Sequence, residues 1–103
     1  MSGKITPTPA LQDFDPAEYL DTPESQQLLL EEAFDTGARA YILNAIGIVA
    51  RARGMSALQK QTGLNRATLY AALSEEGNPT FGTMLSVLGA LGMKMAVKRA
   101  EAA

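Results

Sequence analysis

Residues 55–74 read MSALQKQTGLNRATLYAALS, and this stretch predicts two short helices joined by a tight turn. Gly63 supplies the positive φ that ends the first helix. Asn65 is a good N-cap for the second, because its side chain can accept a hydrogen bond from a free backbone N–H. Apolar contacts between the two helices are supplied by Leu58, Leu64 and Leu69. The stretch therefore reads as a helix-turn-helix.

The second helix of a helix-turn-helix enters the major groove of DNA, so its outward side chains are candidate base contacts. On a helix that starts at Asn65, the side chains that lie away from Leu69 and Leu73 are Arg66, Ala67, Tyr70 and Ala71. The predicted partner is double-stranded DNA.

Arg66 is the strongest candidate for base recognition, because a guanidinium donates two hydrogen bonds to guanine; a phosphate contact is the alternative. Asn65 either caps the helix or reads a base, and capping is favoured because it uses the same side-chain oxygen. Thr68 is either a capping partner or a phosphate donor. Tyr70 either packs or contacts the DNA backbone. The two alanines would meet thymine methyls or merely permit close approach.

Polar residues around the first helix are predicted phosphate contacts, because that helix crosses the DNA backbone. They are Arg51, Arg53, Ser56, Lys60 and Asn78. Ser56 is also the predicted N-cap of the first helix. A solvated surface role is the alternative for each of them.

The rest of the chain predicts an N-terminal arm and further helices in one domain. Residues 1–12 contain closely spaced prolines and are predicted to be a flexible arm, and residues 13–103 a single domain. Two acidic helices are expected over residues 15–36, the second beginning at Thr22, ending at Gly37 and facing inward with Leu28, Leu29 and Ala33.

Two longer amphipathic helices are expected on either side of residues 55–74. Residues 38–53 place Tyr41, Ile42, Ala45, Ile46 and Val49 on a core face, with Gly47 either making room for a neighbour or weakening the helix. Residues 80–91, capped by Thr80, do the same with Phe81, Met84, Leu85, Leu88 and Leu91.

Residues 93–98 alternate apolar and polar side chains, which predicts a short strand. A lone strand in a helical domain cannot satisfy its backbone, so we expect it to pair with its copy in a homodimer. The residues predicted at this dimer contact are Met93, Met95 and Val97.

The composition argues against an enzyme and against a metal or cofactor. The chain has no Cys and no His, which removes thiolate metal sites and the commonest nucleophiles and general bases. The adjacent carboxylates Glu31 and Glu32, or Glu75 and Glu76, have no basic partner arranged beside them. No apolar run has the length of a membrane span or a signal peptide, so a cytoplasmic location is expected.

Charge is unevenly distributed although the net charge is only −2. Residues 1–36 hold eight acidic residues and one basic residue, whereas residues 37–103 hold three acidic and eight basic residues. DNA attracts local positive charge, so the basic second part is compatible with DNA binding in spite of the negative total. The alternative is that the two parts merely have solvated surfaces of different charge, without a role in binding.

Residues 50–95, ARARGMSALQKQTGLNRATLYAALSEEGNPTFGTMLSVLGALGMKM, resemble the probable addiction module antidote family, HigA-like antitoxins of the lambda-repressor-like helix-turn-helix superfamily. The resemblance covers about residues 14–98, and its most specific features are RGM at 53–55, TGL-R at 62–66 and GNPTF at 77–81. Together with the pattern it implies a mainly α fold of five to six helices with a short C-terminal β-strand.

The resemblance also implies a function. Such proteins bind and neutralise a RelE-like, RNA-cleaving toxin encoded beside them, and repress their shared operon as dimers. It places the base contacts on the residues named above and phosphate contacts on Ser56 and Thr68. Gln59 departs from the pattern, which has a small Ala there, so this side chain either shifts the helix pair or turns toward the DNA backbone. The acidic residues 1–36 are a candidate surface for a basic toxin.

Two other functions stay open. One is a stand-alone phage-like transcriptional regulator without a toxin partner, which the absence of a neighbouring toxin gene would favour. The other is a helical protein-interaction module that does not bind DNA, which the small number of basic residues favours. Binding to DNA that weakens with salt would exclude the second.

Overall fold

The computed structural model describes residues 21–101, and this part of the chain contains five α-helices and no strand. The helices are α1 (Pro23–Thr36), α2 (Arg39–Arg53), α3 (Met55–Thr62), α4 (Arg66–Ala72) and α5 (Phe81–Ala90). The mainly α prediction is therefore confirmed for these residues. The predicted arm over 1–12 and the predicted helix over 15–20 lie outside the described residues.

Local capping signals define where α1 begins and ends. Thr22 is its N-cap and accepts a hydrogen bond from the Ser25 N–H at 3.1 Å, and Pro23 follows in the first turn. Gly37 ends the helix at φ 68°, where its N–H donates to the Phe34 carbonyl. Both predicted ends are confirmed.

The inward face of α1 is only partly the predicted one. Leu28 was expected to be inward but is 61% exposed, whereas Ala33 is buried as expected and Leu29 is half-buried against the core. Leu30, which was not expected to be inward, is buried. α2 packs against α1 on the face formed by Gln26, Leu30 and Ala33, which recur at four- and three-residue steps. Three consecutive leucines permit two such faces, and the position of α2 selects one of them.

The core lies around α2 and continues into α3, α4 and α5. Its largest fully buried side chains are Ile46, Val49, Leu58, Leu69, Val87 and Leu91. Tyr41 was predicted to join this core but is 47% exposed. Four residues of an α-helix cover about 40° more than one full turn. Side chains that follow one another at four-residue steps toward the N-terminus of α2 therefore turn gradually away from the core, and Tyr41 is the last of them.

Gly47 lies next to the segment that follows α4. A Cβ placed on Gly47 would lie 3.4 Å from the Leu73 carbonyl oxygen, which is ordinary contact distance. A methyl group fits at this position, so the neighbour does not require a glycine; of the two explanations, the lower helix propensity of glycine is the one supported.

Only the C-terminal half of α5 enters the core. Thr80 caps this helix as predicted, accepting from the Thr83 N–H at 3.0 Å. Phe81 and Leu85, predicted to be inward, are 67% and 45% exposed, while Val87, which was not predicted, is fully buried. α5 is in contact with α3, and its buried residues, Val87 and Leu88, lie toward its C-terminal end.

Residues 93–98 do not form a strand in the single chain. The predicted alternation is absent as well, because Met93 is half-buried whereas Met95 is 42% and Val97 fully exposed. No strand lies elsewhere in residues 21–101 to pair with this segment. The dimer that was expected to provide a partner strand stays a prediction.

Candidate nucleic-acid interface

α3 and α4 are the two helices predicted for residues 55–74, and the turn between them is held by local hydrogen bonds. Gly63 adopts φ 77°, and its N–H donates to the Gln59 carbonyl at 2.9 Å. The Thr62 hydroxyl donates to the Leu58 carbonyl at 2.7 Å and accepts from the Leu64 N–H at 3.2 Å. These bonds define the direction in which the chain enters α4.

Leucines pack α3 and α4 onto the core as predicted. Leu58 is 1% exposed and Leu69 is fully buried. Leu64 is half-buried and packs against the same cluster. One face of α4 is thus fixed to the domain, and the other is directed outward.

The two predicted caps of this segment have different outcomes. Asn65 caps α4, accepting from the Thr68 N–H at 2.8 Å through Oδ1. Ser56 does not cap α3, which starts at Met55 with Gly54 as N-cap and no side-chain cap bond. Only Gly54 separates α2 from α3, so no residue is left for a polar cap before the first turn.

The outward face of α4 carries the predicted base contacts. Its side chains are all exposed: Arg66, Ala67, Thr68, Tyr70 and Ala71. The Arg66 guanidinium carbon lies 5.1 Å from the centroid of the Tyr70 ring, and an Arg66 terminal nitrogen donates to the Tyr70 hydroxyl at 3.2 Å. Tyr70 is 42% exposed, so packing in the core is not its role.

The predicted phosphate contacts are in unlike surroundings. Arg51, Ser56, Lys60 and Asn78 are exposed, and Gln59 is half-buried. Arg53 donates from Nε to the Gln26 side-chain oxygen at 2.9 Å and from a terminal nitrogen to the Leu91 carbonyl at 2.7 Å. Arg53 therefore joins α1, α2 and the end of α5, and a DNA contact by this residue stays a prediction.

The segment after α4 is held by contacts that the sequence pattern did not indicate. Gly77 is buried, and a Cβ at this position would overlap the carbonyl oxygens of Ala71 and Ala72. The Arg39 guanidinium donates to the Gly77 carbonyl. α2 thereby holds the chain that leaves the recognition candidate α4.

Opposite charges separate α1 from the α3–α4 segment. α1 carries Glu24, Glu31, Glu32 and Asp35 and no basic residue, whereas residues 55–74 carry Lys60 and Arg66 and no acidic residue. Asp35 lies in the last turn of α1, where the helix dipole disfavours negative charge.

A groove of about 600 Å³ lies between α1 and residues 92–98. Its apolar lining comes from Leu30, Phe34, Leu88, Met93 and Met95. Lys98 forms an ion pair with Asp35 at 3.0 Å, which links the C-terminal segment to α1. The pKa of Lys98 is raised above its ordinary value, first by its hydrogen bond to the Asp35 carboxylate and then by the charge of that carboxylate.

Within residues 21–101 there is no group of carboxylates suited to holding a metal ion. In the same part of the chain, no helix has both the length and the apolar character to cross a bilayer.

Over residues 21–101 the structure is that of a small all-α domain, in which the short capped helix α4 has one buried face and one polar, exposed face. The chain is a member of the probable addiction module antidote protein family, whose model matches residues 10–99. An uncharacterized protein of Haemophilus influenzae is 43% identical over 94 residues, which is 91% of this chain and 97% of the relative. No solved structure matches the chain significantly. The family indicates an antitoxin role and implies a toxin as partner.

Proposed function

We propose that this protein is the antitoxin of a toxin–antitoxin module and a sequence-specific DNA-binding repressor of its own operon. In this account it is a cytoplasmic, non-enzymatic homodimer of the lambda-repressor-like, HigA-like kind. It neutralises a RelE-like, RNA-cleaving toxin. The exposed face of α4, with Arg66 at its first residue, is the observation that supports DNA binding most strongly.

Three properties make α4 suitable for the major groove. Its N-terminal residues are exposed, and those are the positions that reach base edges in helix-turn-helix proteins. The helix carries a guanidinium and no carboxylate, so nothing on it repels phosphate. Small side chains at Ala67 and Ala71 permit close approach to the bases.

Binding to the upstream region of its own gene tests the repressor function. The purified chain is compared on this duplex and on a scrambled duplex over a series of salt concentrations, with Arg66→Ala and Arg99→Ala as a matched pair. Both arginines are exposed, so each variant removes one surface charge. Sequence preference should be lost in Arg66→Ala and kept in Arg99→Ala. Equal binding of the wild type to both duplexes would contradict the proposal and favour the interaction module.

Acidic α1 is the surface that we propose for the toxin. Its carboxylates at Glu31 and Glu32 are exposed, and the helix itself carries no basic residue. A basic partner would be attracted by these charges and would associate faster. The exposed ring of Phe34 on α1 offers apolar contact area next to these charges.

Co-purification with the product of the adjacent gene tests this surface. The double variant Glu31→Gln/Glu32→Gln should weaken capture and slow association, most clearly at low salt. Glu75→Gln/Glu76→Gln is the matched control, because these carboxylates are also adjacent and exposed. If no toxin is encoded nearby and none binds, the stand-alone regulator becomes the better account.

The homodimer is proposed through Met93, Met95 and Val97, two of which are exposed in the single chain. Pairing this segment across a twofold axis would bring two α4 helices to about 34 Å, one turn of DNA. Sedimentation of the wild type should give a dimer, and Val97→Asp should shift it toward monomer. A wild-type monomer at micromolar concentration would contradict this interface.

A further inference from the structure

Arg66 and Tyr70 form one unit on the surface of α4. They are four residues apart, so they share one face of the helix. Long side chains on a helix lean back toward its N-terminus, which brings the Tyr70 ring over the turn that carries Arg66. The guanidinium meets this ring at 5.1 Å from its centroid and also donates to the hydroxyl at 3.2 Å.

Tyr70 also borders a cleft whose other walls include residues of the core. It lines a small cleft of about 200 Å³ together with Gly47, Met55 and Leu73. Met55 and Leu73 are buried in the core, and Gly47 lies on the core face of α2. Tyr70 therefore shares a cleft with residues of the core, and the Arg66 guanidinium lies over its ring.

The contact with Tyr70 restricts the rotamers of the Arg66 side chain, and this restriction matters for DNA recognition. A free arginine has many rotamers and can turn to phosphates beside the groove or to bases inside it. The stacking contact uses the face of the Tyr70 ring and no donor of Arg66. The hydrogen bond to the Tyr70 hydroxyl uses one of the five N–H donors of the guanidinium. The remaining donors stay available for the O6 and N7 of guanine.

We propose that Tyr70 is a positioning residue for Arg66, so that discrimination of a guanine depends on the ring of Tyr70. The proposal rests on the DNA-binding function proposed above. It assigns the ring the larger part and the hydroxyl the smaller part, because ring and guanidinium attract each other through the quadrupole of the ring.

The test is selection from a randomised duplex library, followed by affinity for the selected site and for variants with each guanine replaced. Five chains are compared: wild type, Tyr70→Phe, Tyr70→Leu, Arg66→Ala and the double variant Arg66→Ala/Tyr70→Leu. For the wild type, one guanine should be discriminated by roughly 5- to 150-fold, the range of a bidentate arginine contact.

Tyr70→Leu should reduce discrimination at that guanine by about two- to fivefold, and Tyr70→Phe by less. In the Arg66→Ala background, Tyr70→Leu should have no further effect at this position. An equal effect with and without Arg66 would overturn the proposal, since Tyr70 would then contact DNA by itself. No effect of Tyr70→Leu in the wild-type background would overturn it too.

Measurement on the free protein separates this proposal from DNA binding. The ring current of Tyr70 should shift the NMR signals of the Arg66 side chain, and Tyr70→Leu should remove the shift. A shift in a wild type that selects no sequence would overturn DNA recognition but leave the pair intact. Absence of the shift in a wild type that does select a sequence would overturn the positioning role alone. Circular dichroism checks that the variants fold.

Discussion

α1 and α4 are both amphipathic helices on one core, yet they differ in length, charge and source of stability. α1 has 14 residues, a side-chain N-cap and a glycine stop, and its outward face is acidic. α4 has 7 residues, and its outward face carries Arg66 and no acid. An isolated helix shorter than about 12 residues is marginal in water, so α4 depends on tertiary contacts for its existence. The molecule thus has two exposed faces of opposite charge, and the face that we propose for DNA, on α4, depends on contacts with the core.

Removing the buried contact of α4 should have the largest effect. Leu69 is fully buried, and Leu69→Ala should lower the free energy of unfolding by about 2–5 kcal/mol. Leu28→Ala on α1 is the control, because Leu28 is 61% exposed and its loss should matter little. Denaturant unfolding measures both. A similar loss of unfolding free energy in the two variants would contradict the difference between α1 and α4.

The exit from α4 should be nearly as sensitive. Gly77→Ala places a Cβ against two backbone carbonyls, so it should cost about 1–3 kcal/mol or more. Gly47→Ala is the milder partner, since its nearest atom is 3.4 Å away and Ala improves helix propensity. Thermal unfolding of the two variants should differ clearly. Equal melting temperatures would show that the 73–80 segment adjusts freely.

Caps provide a matched test of the two helices. Asn65 and Thr22 each accept a backbone hydrogen bond, at 2.8 and 3.1 Å. Substitution of either by Ala should cost about 1 kcal/mol of helix stability. Because α4 is short, Asn65→Ala should also increase hydrogen exchange along the whole helix, whereas Thr22→Ala should affect only the first turn of α1. Faster hydrogen exchange confined to the first turn in both variants would contradict this difference between α4 and α1.

The ion pair between α1 and the C-terminal segment should have the smallest effect. Lys98 and Asp35 are largely exposed, so Asp35→Asn should leave thermal unfolding at neutral pH almost unchanged. The raised pKa of Lys98 means that any contribution exists below the ordinary lysine pKa and is lost as pH rises through the raised value. Wild type and variant should therefore coincide at strongly alkaline pH. A large neutral-pH difference would give this contact an unexpected structural role.

Local signals in the sequence predicted the helix ends, and long-range contacts limited what else could be predicted. Thr22, Asn65 and Thr80 cap their helices because a cap involves residues only three apart. The prediction that Ser56 caps α3 was wrong, because α2 continues to Arg53 and α3 begins directly after Gly54.

Burial was harder to predict than helix position, because it depends on which neighbour covers a face. Leu28, Tyr41 and Phe81 have helical spacing but lie outside the part that a partner helix covers. The bonds from Arg53 to Gln26 and from Arg39 to Gly77 join residues 27 and 38 positions apart, and no local pattern signals them. The outward face of α4 could be predicted because Leu69 marks the opposite side, whereas the stacking of Arg66 on Tyr70 required coordinates.

We propose that the outward faces of α1 and α4 serve different partners, and the affinities of two variants for DNA and for the protein partner test this difference. Arg66→Ala and Glu31→Gln/Glu32→Gln are each titrated with the upstream duplex and with the product of the adjacent gene. We expect Arg66→Ala to lose only sequence-specific DNA binding and the α1 variant to lose only affinity for the protein partner. Loss of both activities in either variant, with its fold intact, would contradict two separate surfaces.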